Sequence, residues 1–213
     1  MKRRSIDGTL YLTTALCLLP MAMAALLYAK LPEQVPTHWN FAGEVDGYSS
    51  RAFAGFGMPL LLAALNAVLH VAMNSDPKRG NVARPVALLA KWTVPAVGLL
   101  VVPMSLLAGL GREVPMSTLV PAAVGLLVMA IGNYMPKTRS SYTVGIRLPW
   151  TLDSAENWRR THRVAGVCYV LGGLCMFVSA LAFPAHAWMG LFALLVLALV
   201  PCVYSFLLYK RGV

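Results

Sequence analysis

Six stretches of apolar residues constrain this chain of 213 residues more than any other feature. A bilayer core of about 30 Å is crossed by about 20 helical residues, which rise about 1.5 Å each. Because an unpaired backbone amide in hydrocarbon costs several kcal/mol, each stretch must be helical. The predicted spans are Thr9–Ala29, Phe53–Met73, Val86–Leu110, Ser117–Tyr134, Val164–Phe183 and Ala187–Tyr209.

Composition supports the same class of protein. Hydrophobic residues make up 58% of the chain and charged residues 12%, against about 45–50% and about 25% in soluble domains. The net charge of +10 comes from short basic clusters between apolar stretches, which indicates membrane topology and not nucleic-acid binding. The four cysteines lie inside apolar stretches without metal-site spacing, so we expect packing residues, no metal and no cofactor.

Basic residues also predict the orientation. Fourteen of the 18 lie before the first span, between alternate spans and after the last one. Cytosolic loops are enriched in Lys and Arg, so both termini are predicted to be cytosolic. The start of the chain resembles a signal peptide, but its apolar stretch continues to Tyr28 and favours a retained span.

The predicted fold is an all-α membrane protein with six transmembrane helices, a structured outer loop and a long cytosolic loop. An N-terminal module, residues 1–84, holds two spans and the outer loop at 30–52. A C-terminal module, residues 85–213, holds four spans and the cytosolic loop at 135–163. The sequence does not set an oligomeric state.

The outer loop gathers polar and aromatic residues between turn signals, which favours a short strand-like hairpin. It is either a recognition surface for a peptide ligand or an interfacial cap, with Trp39, Phe41 and Tyr48 at the headgroups. A metal site built from His38, Glu44 and Asp46 is a further alternative, but their spacing matches no strong motif, so no metal is assigned. The candidate ligand-binding residues are His38, Trp39, Asn40, Glu44, Asp46 and Tyr48.

The cytosolic loop contains a helix start. Asp153 and Glu156 resemble a capping box and predict a helix from near Ser154, with Glu156 paired to Arg160. We expect a short interfacial helix that carries Trp158 and leads into the fifth span. Its charge favours contact with anionic lipid, and a docking face for a cytosolic protein is the alternative.

Both loops carry a family resemblance. The stretch Pro36-Thr37-His38-Trp39-Asn40 with Gly43 and Asp46 resembles the N-terminal module of the SdpI family of bacterial immunity proteins. Three further stretches are similar to that family's C-terminal signature: Asn133-Tyr134-x-Pro136-Lys137, Gly145-Ile146-Arg147-x-Pro149-Trp150-Thr151-Leu152 and Trp158-Arg159-x-Thr161-His162-Arg163.

This resemblance implies a six-helix protein of the bacterial cytoplasmic membrane. It implies protection from a secreted, membrane-active toxin peptide, and signalling in which a cytosolic transcriptional repressor is held at the membrane. The outer loop is then the toxin-binding segment, and the cytosolic loop binds the repressor. The predicted partner-binding residues are Asn133, Pro136, Arg147, Pro149, Trp150, Trp158, Arg159, His162 and Arg163.

Three rival functions are open from the sequence. A transporter needs ionisable groups within the membrane. The candidates are His70 and Lys91, with Asn66 near His70. Both ionisable residues are predicted near helix ends, where their side chains can snorkel to the interface. An enzyme is not expected, because none of the four histidines sits in a recognised catalytic motif. A scaffold for other membrane proteins is the third alternative.

Overall fold

The computed structural model describes residues 8–40, 42–186 and 188–213. Six helices in this part are long and apolar enough to cross a membrane, which confirms the predicted number of spans. They run Gly8–Lys30, Phe53–Ser75, Arg84–Gly109, Met116–Lys137, Ala155–Ala182 and Trp188–Lys210. The basic residues Lys2, Arg3 and Arg4, the predicted anchor Phe41 and the predicted start of the last span, Ala187, lie outside the described residues.

The first two spans are each built from shorter pieces. A break at Leu19 divides the first span just before Pro20, a residue whose fixed φ suits the first position of a new helix. A π-helical turn, Phe53–Gly57, opens the second span. The helices are α1 (Gly8–Leu18), α2 (Pro20–Leu27), α3 (Met58–Ser75), α4 (Arg84–Gly109), α5 (Met116–Tyr134), α6 (Pro149–Asp153), α7 (Ala155–Ala182) and α8 (Trp188–Lys210), and the strands are β1 (Gln34–Trp39) and β2 (Val45–Ser50).

The chain divides into two compact units. The first comprises the residues up to Asn74 together with Ala90–Val120, and the second comprises Ser75–Leu89 with Pro121–Val213. Helices α4 and α5 therefore each contribute residues to both units. The boundary predicted from sequence, between residues 84 and 85, stays a prediction.

In the first unit, β1 and β2 pair antiparallel and form a hairpin, with Val35 opposite Ser49 and irregular pairing around His38. The base of this hairpin is part of the core, because Val35 is fully buried in a cluster with Val102 and Leu106 of α4. Ser105 Oγ of α4 donates a hydrogen bond to the Pro36 carbonyl. The hairpin is thus fixed at its base.

In the second unit, α7 and α8 pack against each other, and the loop between α5 and α7 folds against the first turns of α7. Residues 135–163, the predicted cytosolic loop, are called the signature loop from here on. Its apolar contacts come from a buried cluster of Met135, Ile146 and Ala165. The loop is therefore packed and not an open connection.

The helix start in the signature loop differs in detail from the sequence prediction. Ser154 is the N-cap, and its side chain accepts a hydrogen bond from the Asn157 N–H, so the cap lies one residue after Asp153. Trp158 lies in the first turn of the 28-residue α7 and not in a separate interfacial helix. A helix of that length spans about 42 Å, which is longer than a bilayer core of about 30 Å.

Candidate functional site

The tip of the hairpin presents exposed polar groups. We call this surface the hairpin face and define it by His38, Asn40, Glu44, Asp46 and Tyr48. His38 Nδ1 lies 2.5 Å from Asp46 Oδ1, and the two side chains are 72% and 43% exposed. The pair is thus held together in a position where both members are open to a ligand.

Asn40 closes the turn of the hairpin. Its Oδ1 accepts hydrogen bonds from the backbone N–H groups of Ala42, at 2.9 Å, and Glu44, at 3.0 Å. Its Nδ2 donates to Glu44 Oε2 at 3.0 Å. This asparagine arrangement is a common way to fix a turn. Asn40 therefore sets the position of the Glu44 carboxylate.

The predicted aromatic anchors differ in exposure. Tyr48 is 60% exposed, whereas Trp39 is half-buried. Below them, Thr37 Oγ1 and Ser49 Oγ lie 2.9 Å apart across the strands. Within the described residues there is no group of three His, Cys, Asp or Glu side chains placed to hold a metal ion.

The centre of the signature loop is a carboxylate from elsewhere in the chain. Asp76, the residue that follows α3, is 4% exposed. Its Oδ2 accepts hydrogen bonds from Ser141 Oγ and Thr143 Oγ1, each at 2.8 Å, and from the backbone N–H groups of Tyr142 and Thr143 at 3.0 and 3.1 Å. Its Oδ1 accepts from the Lys78 N–H at 2.7 Å.

These contacts control the charge of Asp76. Burial by itself raises the pKa of this carboxyl, but hydrogen bonds from Thr143, Ser141 and the Lys78 and Tyr142 N–H groups outweigh burial and hold the pKa below its ordinary value. The group is therefore ionised at neutral pH. Its negative charge is matched by donors, which is what a buried carboxylate requires.

A second fixed point lies where the loop meets α7. His162 is fully buried; its Nδ1 donates to the Trp158 carbonyl at 2.8 Å, and its Nε2 accepts from the Ile146 N–H at 3.0 Å. The Trp158 ring stacks on the His162 ring with centroids 3.9 Å apart. Gly145 lies against both rings at a φ of +113°, where a Cβ would lie 2.5 Å from His162 Nε2.

Polar side chains also join α7 to α8. Asn157 Nδ2 donates to the Ser205 carbonyl at 3.1 Å, and Ser205 Oγ donates to Asn157 Oδ1 at 2.9 Å. Trp150 Nε1 donates to Ser205 Oγ at 2.8 Å. We call the set of buried and half-buried residues that holds the signature loop the loop frame. It consists of Asp76, Ser141, Thr143, Gly145, Ile146, Thr151, Asn157, Trp158, Thr161, His162 and Ser205.

The predicted partner-binding residues divide into two groups. Trp158 is 2% exposed and His162 is fully buried, so both belong to the loop frame, and Trp150 is half-buried against Ser205. The remaining six are exposed: Asn133, Pro136, Arg147, Pro149, Arg159 and Arg163. Among these, the three arginines form what we call the cationic rim.

The arginines of the rim are held to different degrees. Arg147 Nη1 donates to the Tyr142 carbonyl at 2.6 Å. Arg159 Nη2 lies 2.8 Å from a Glu156 oxygen, and Arg160 Nε lies 2.5 Å from the other oxygen, which confirms the predicted Glu156–Arg160 pair. The rim is thus attached to a rigid base but remains open to solvent.

Asp76 was missed in the sequence prediction. Its hydroxyl partner Ser141 is 65 residues away along the chain, so no local pattern joins them. A weak signal exists, because Asp76 is the acidic residue of a loop that is otherwise basic, with Lys78, Arg79 and Arg84. An isolated carboxylate in a cationic loop indicates a specific partner.

The ionisable residues of the spans are engaged inside the first unit. His70 is fully buried and does not snorkel; its Nε2 lies 3.1 Å from Thr13 Oγ1, which also accepts from Asn66 Nδ2 at 3.0 Å. Lys91 Nζ donates to Asn74 Oδ1 at 3.0 Å. These contacts join α1 to α3 and α3 to α4.

Comparisons with known proteins match two separate parts of the chain, one in each compact unit. Residues 15–63, which include the whole hairpin, match a domain of unknown function, DUF1648, and residues 137–205 match the SdpI/YfhL protein family. The chain carries a DUF1648 domain and an SdpI/YfhL domain. Its six long apolar helices are those of a multi-pass membrane protein, and most of the loop frame lies within the matched residues 137–205.

One curated relative spans nearly the whole chain. The Immunity protein SdpI of Bacillus subtilis (strain 168) is 23% identical over 187 residues, which cover 87% of this chain and 88% of the relative. No solved structure matches the chain significantly. The similarity to this immunity protein thus extends over most of both chains.

Proposed function

We propose that this chain is a bacterial membrane immunity protein that meets a secreted, membrane-active toxin peptide at its hairpin face. The observation that carries the proposal is the hairpin face itself, a set of exposed polar groups on a hairpin fixed to the core at its base. The full-length likeness to a protein named for immunity supports the same function.

The chemistry of the hairpin face favours a basic peptide. Two carboxylates, Glu44 and Asp46, lie near a single histidine on an exposed surface. Basic side chains form charge-assisted hydrogen bonds with such carboxylates. Tyr48 adds exposed aromatic area that apolar residues of the peptide can cover.

The signature loop then reports toxin binding inside the cell. Three candidate spans, an odd number, separate it from the hairpin along the chain. Since α4 and α5 have residues in both units, a displacement at one unit has a covalent path to the other. A repressor with an acidic surface would dock on the cationic rim. A coupling free energy of about 1–3 kcal/mol between toxin binding and repressor binding is enough for a modest switch.

Immunity is tested by survival of a toxin-sensitive strain that expresses the protein. The variant His38→Ala with Asp46→Ala should lose protection while its amount in the membrane stays at the wild-type level. The matched control, Glu33→Ala with Gln34→Ala, changes exposed residues at the start of β1 and should protect like wild type. Full protection by the His38/Asp46 variant would exclude the hairpin face as the toxin site.

Signalling is tested separately with a reporter under a toxin-induced promoter. Replacing Arg147, Arg159 and Arg163 by Ala should abolish the reporter response and leave survival intact. A control that replaces Lys210 and Arg211, two exposed basic residues at the end of the chain, should respond normally. A normal response from the rim variant would remove the repressor from the proposal and leave immunity standing.

A further inference from the structure

A groove runs between α2 and the end of α4 in the first unit. Its volume is about 760 Å³, and its walls are apolar. Several of these side chains are largely exposed, Leu26 to 84% and Leu19 to 56%. The lining residues are Leu19, Ala22, Met23, Leu26, Leu27, Leu107 and Leu110, with Lys30 and Arg112 at one end.

The length of the groove matches one leaflet. From Leu19 to Lys30 the chain advances eleven residues, which is about 16 Å of helix. The hydrocarbon core of a bilayer is about 30 Å thick, so the groove covers about half of it. A membrane-spanning peptide helix needs the full thickness, whereas the acyl chain of one phospholipid needs only its own leaflet.

The backbone fixes Arg112 at the mouth of the groove. Helix α4 ends in a Schellman motif: the Arg112 N–H donates to the Leu107 carbonyl at 3.1 Å, and the Gly111 N–H donates to the Ala108 carbonyl at 2.9 Å. Gly111 adopts the positive φ of 74° that this motif requires. Arg112 therefore follows the groove wall at a set position.

Lys30 occupies the matching place at the end of the first span. It is the last residue of a 3₁₀ turn, and the next residue, Leu31, is 3% exposed and holds the chain against the core. Lys30 and Arg112 are exposed, and the described part of the chain supplies no ion pair or side-chain hydrogen bond to either. The acidic neighbour Glu113 does not line the groove.

We propose that this groove is a binding site for one anionic phospholipid of the leaflet on the hairpin side. An acyl chain lies along Leu19, Ala22, Leu26 and Leu107, and the headgroup phosphate lies between Lys30 and Arg112. The apolar lining and the one-leaflet length fit one acyl chain of a phospholipid. The two cations, which have no carboxylate partner among the described residues, favour a negatively charged headgroup. The proposal is independent of immunity.

Native mass spectrometry of the purified, delipidated full chain tests this site. Phosphatidylglycerol should bind as a single tight adduct and phosphatidylcholine should not. The variant Lys30→Gln with Arg112→Gln should bind phosphatidylglycerol about 30-fold more weakly, the effect of two basic residues near an anionic headgroup. Ala22→Trp, which keeps both cations and fills the groove, should lose the adduct as well.

Arg51→Gln is the matched charge control. Arg51 lies over the Tyr28 ring at 4.8 Å and does not line the groove, so this variant should bind phosphatidylglycerol like wild type. Equal binding of both lipids by wild type, or wild-type binding by both groove variants, would overturn the proposal. A peptide adduct with no lipid adduct would also overturn it. Survival under toxin challenge is measured in parallel and has no bearing on this outcome.

Discussion

The hairpin face and the loop frame use similar residue types in opposite ways. At the hairpin face, His38 and Asp46 contact each other while 72% and 43% of their side chains stay exposed. In the loop frame, His162 and Asp76 are 0% and 4% exposed, and backbone N–H groups are among their donors. A histidine and an aspartate are thus exposed to solvent in one region and serve as buried supports in the other.

The difference comes from which part of the chain these residues hold in place. The hairpin is anchored by apolar residues at its base, so its polar tip carries little of the folding free energy. The signature loop has backbone N–H groups to satisfy where it is packed, and a buried carboxylate and a buried imidazole accept hydrogen bonds from them. Removing a polar group should therefore cost stability in the loop frame and binding in the hairpin face.

The largest expected effect is at Asp76. Asp76→Ala leaves Ser141, Thr143 and several backbone N–H groups without their charged acceptor, which should cost about 3 kcal/mol or more. For a chain of this size the melting temperature in detergent should fall by about 6–12 °C. Asp153→Ala, at an exposed aspartate, is the control and should melt like wild type. Equal melting of the two variants would remove Asp76 from the frame.

Gly145→Ala should have the next largest effect. The methyl group would clash with the His162 and Trp158 rings, at a backbone angle that costs a non-glycine residue about 1–3 kcal/mol. Gly80→Ala is the matched control, because nothing lies within 4 Å of a Cβ at that position. Thermal unfolding of both variants measures the difference, and an unchanged Gly145 variant would show that the loop is not held by these rings.

The pH dependence should show a smaller effect. Because the folded state lowers the pKa of Asp76, the stabilisation is complete above the ordinary value of about 3.9 and is lost as the pH falls through the lower folded value. The melting temperatures of wild type and Asp76→Asn should therefore converge as the pH falls below about 4. A gap that stays constant between neutral and acidic pH would contradict this.

The smallest stability effect is expected at the hairpin face. His38→Ala with Asp46→Ala removes an exposed pair, and surface substitutions of this kind change stability by less than about 0.5 kcal/mol. Circular dichroism and thermal melting in detergent measure this. Extensive unfolding of this variant would mean that the pair supports the hairpin, and its loss of immunity would then have a structural cause.

The sequence predicted the parts of the fold that depend on local patterns. Apolar length identified the six spans. The spacing of Glu156 and Arg160 predicted an ion pair that the structure contains. Both features rest on residues within a few turns of each other, where helix geometry alone decides which side chains meet.

Contacts between distant segments were not predictable in this way. The role of Asp76 depends on its hydrogen bonds to residues 141–143 in the loop after α5, which no local spacing encodes. The burial of Trp158 and His162 also comes from contacts between distant segments. The sequence could not reveal it, because aromatic residues in a basic loop are equally typical of a docking face. The start of α7 near Ser154 was predicted, but its N-cap was placed one residue early, at Asp153, because Asp and Ser are both common N-caps.

The ties between His38 and Asp46 and between Asn40 and Glu44 have a consequence for discrimination among peptides. A peptide that binds there must either break these side-chain contacts or form hydrogen bonds to the side chains in their present positions, and breaking the contacts reduces its binding free energy. Under the proposed function, this cost disfavours unrelated basic peptides and favours a peptide whose groups fit the existing arrangement.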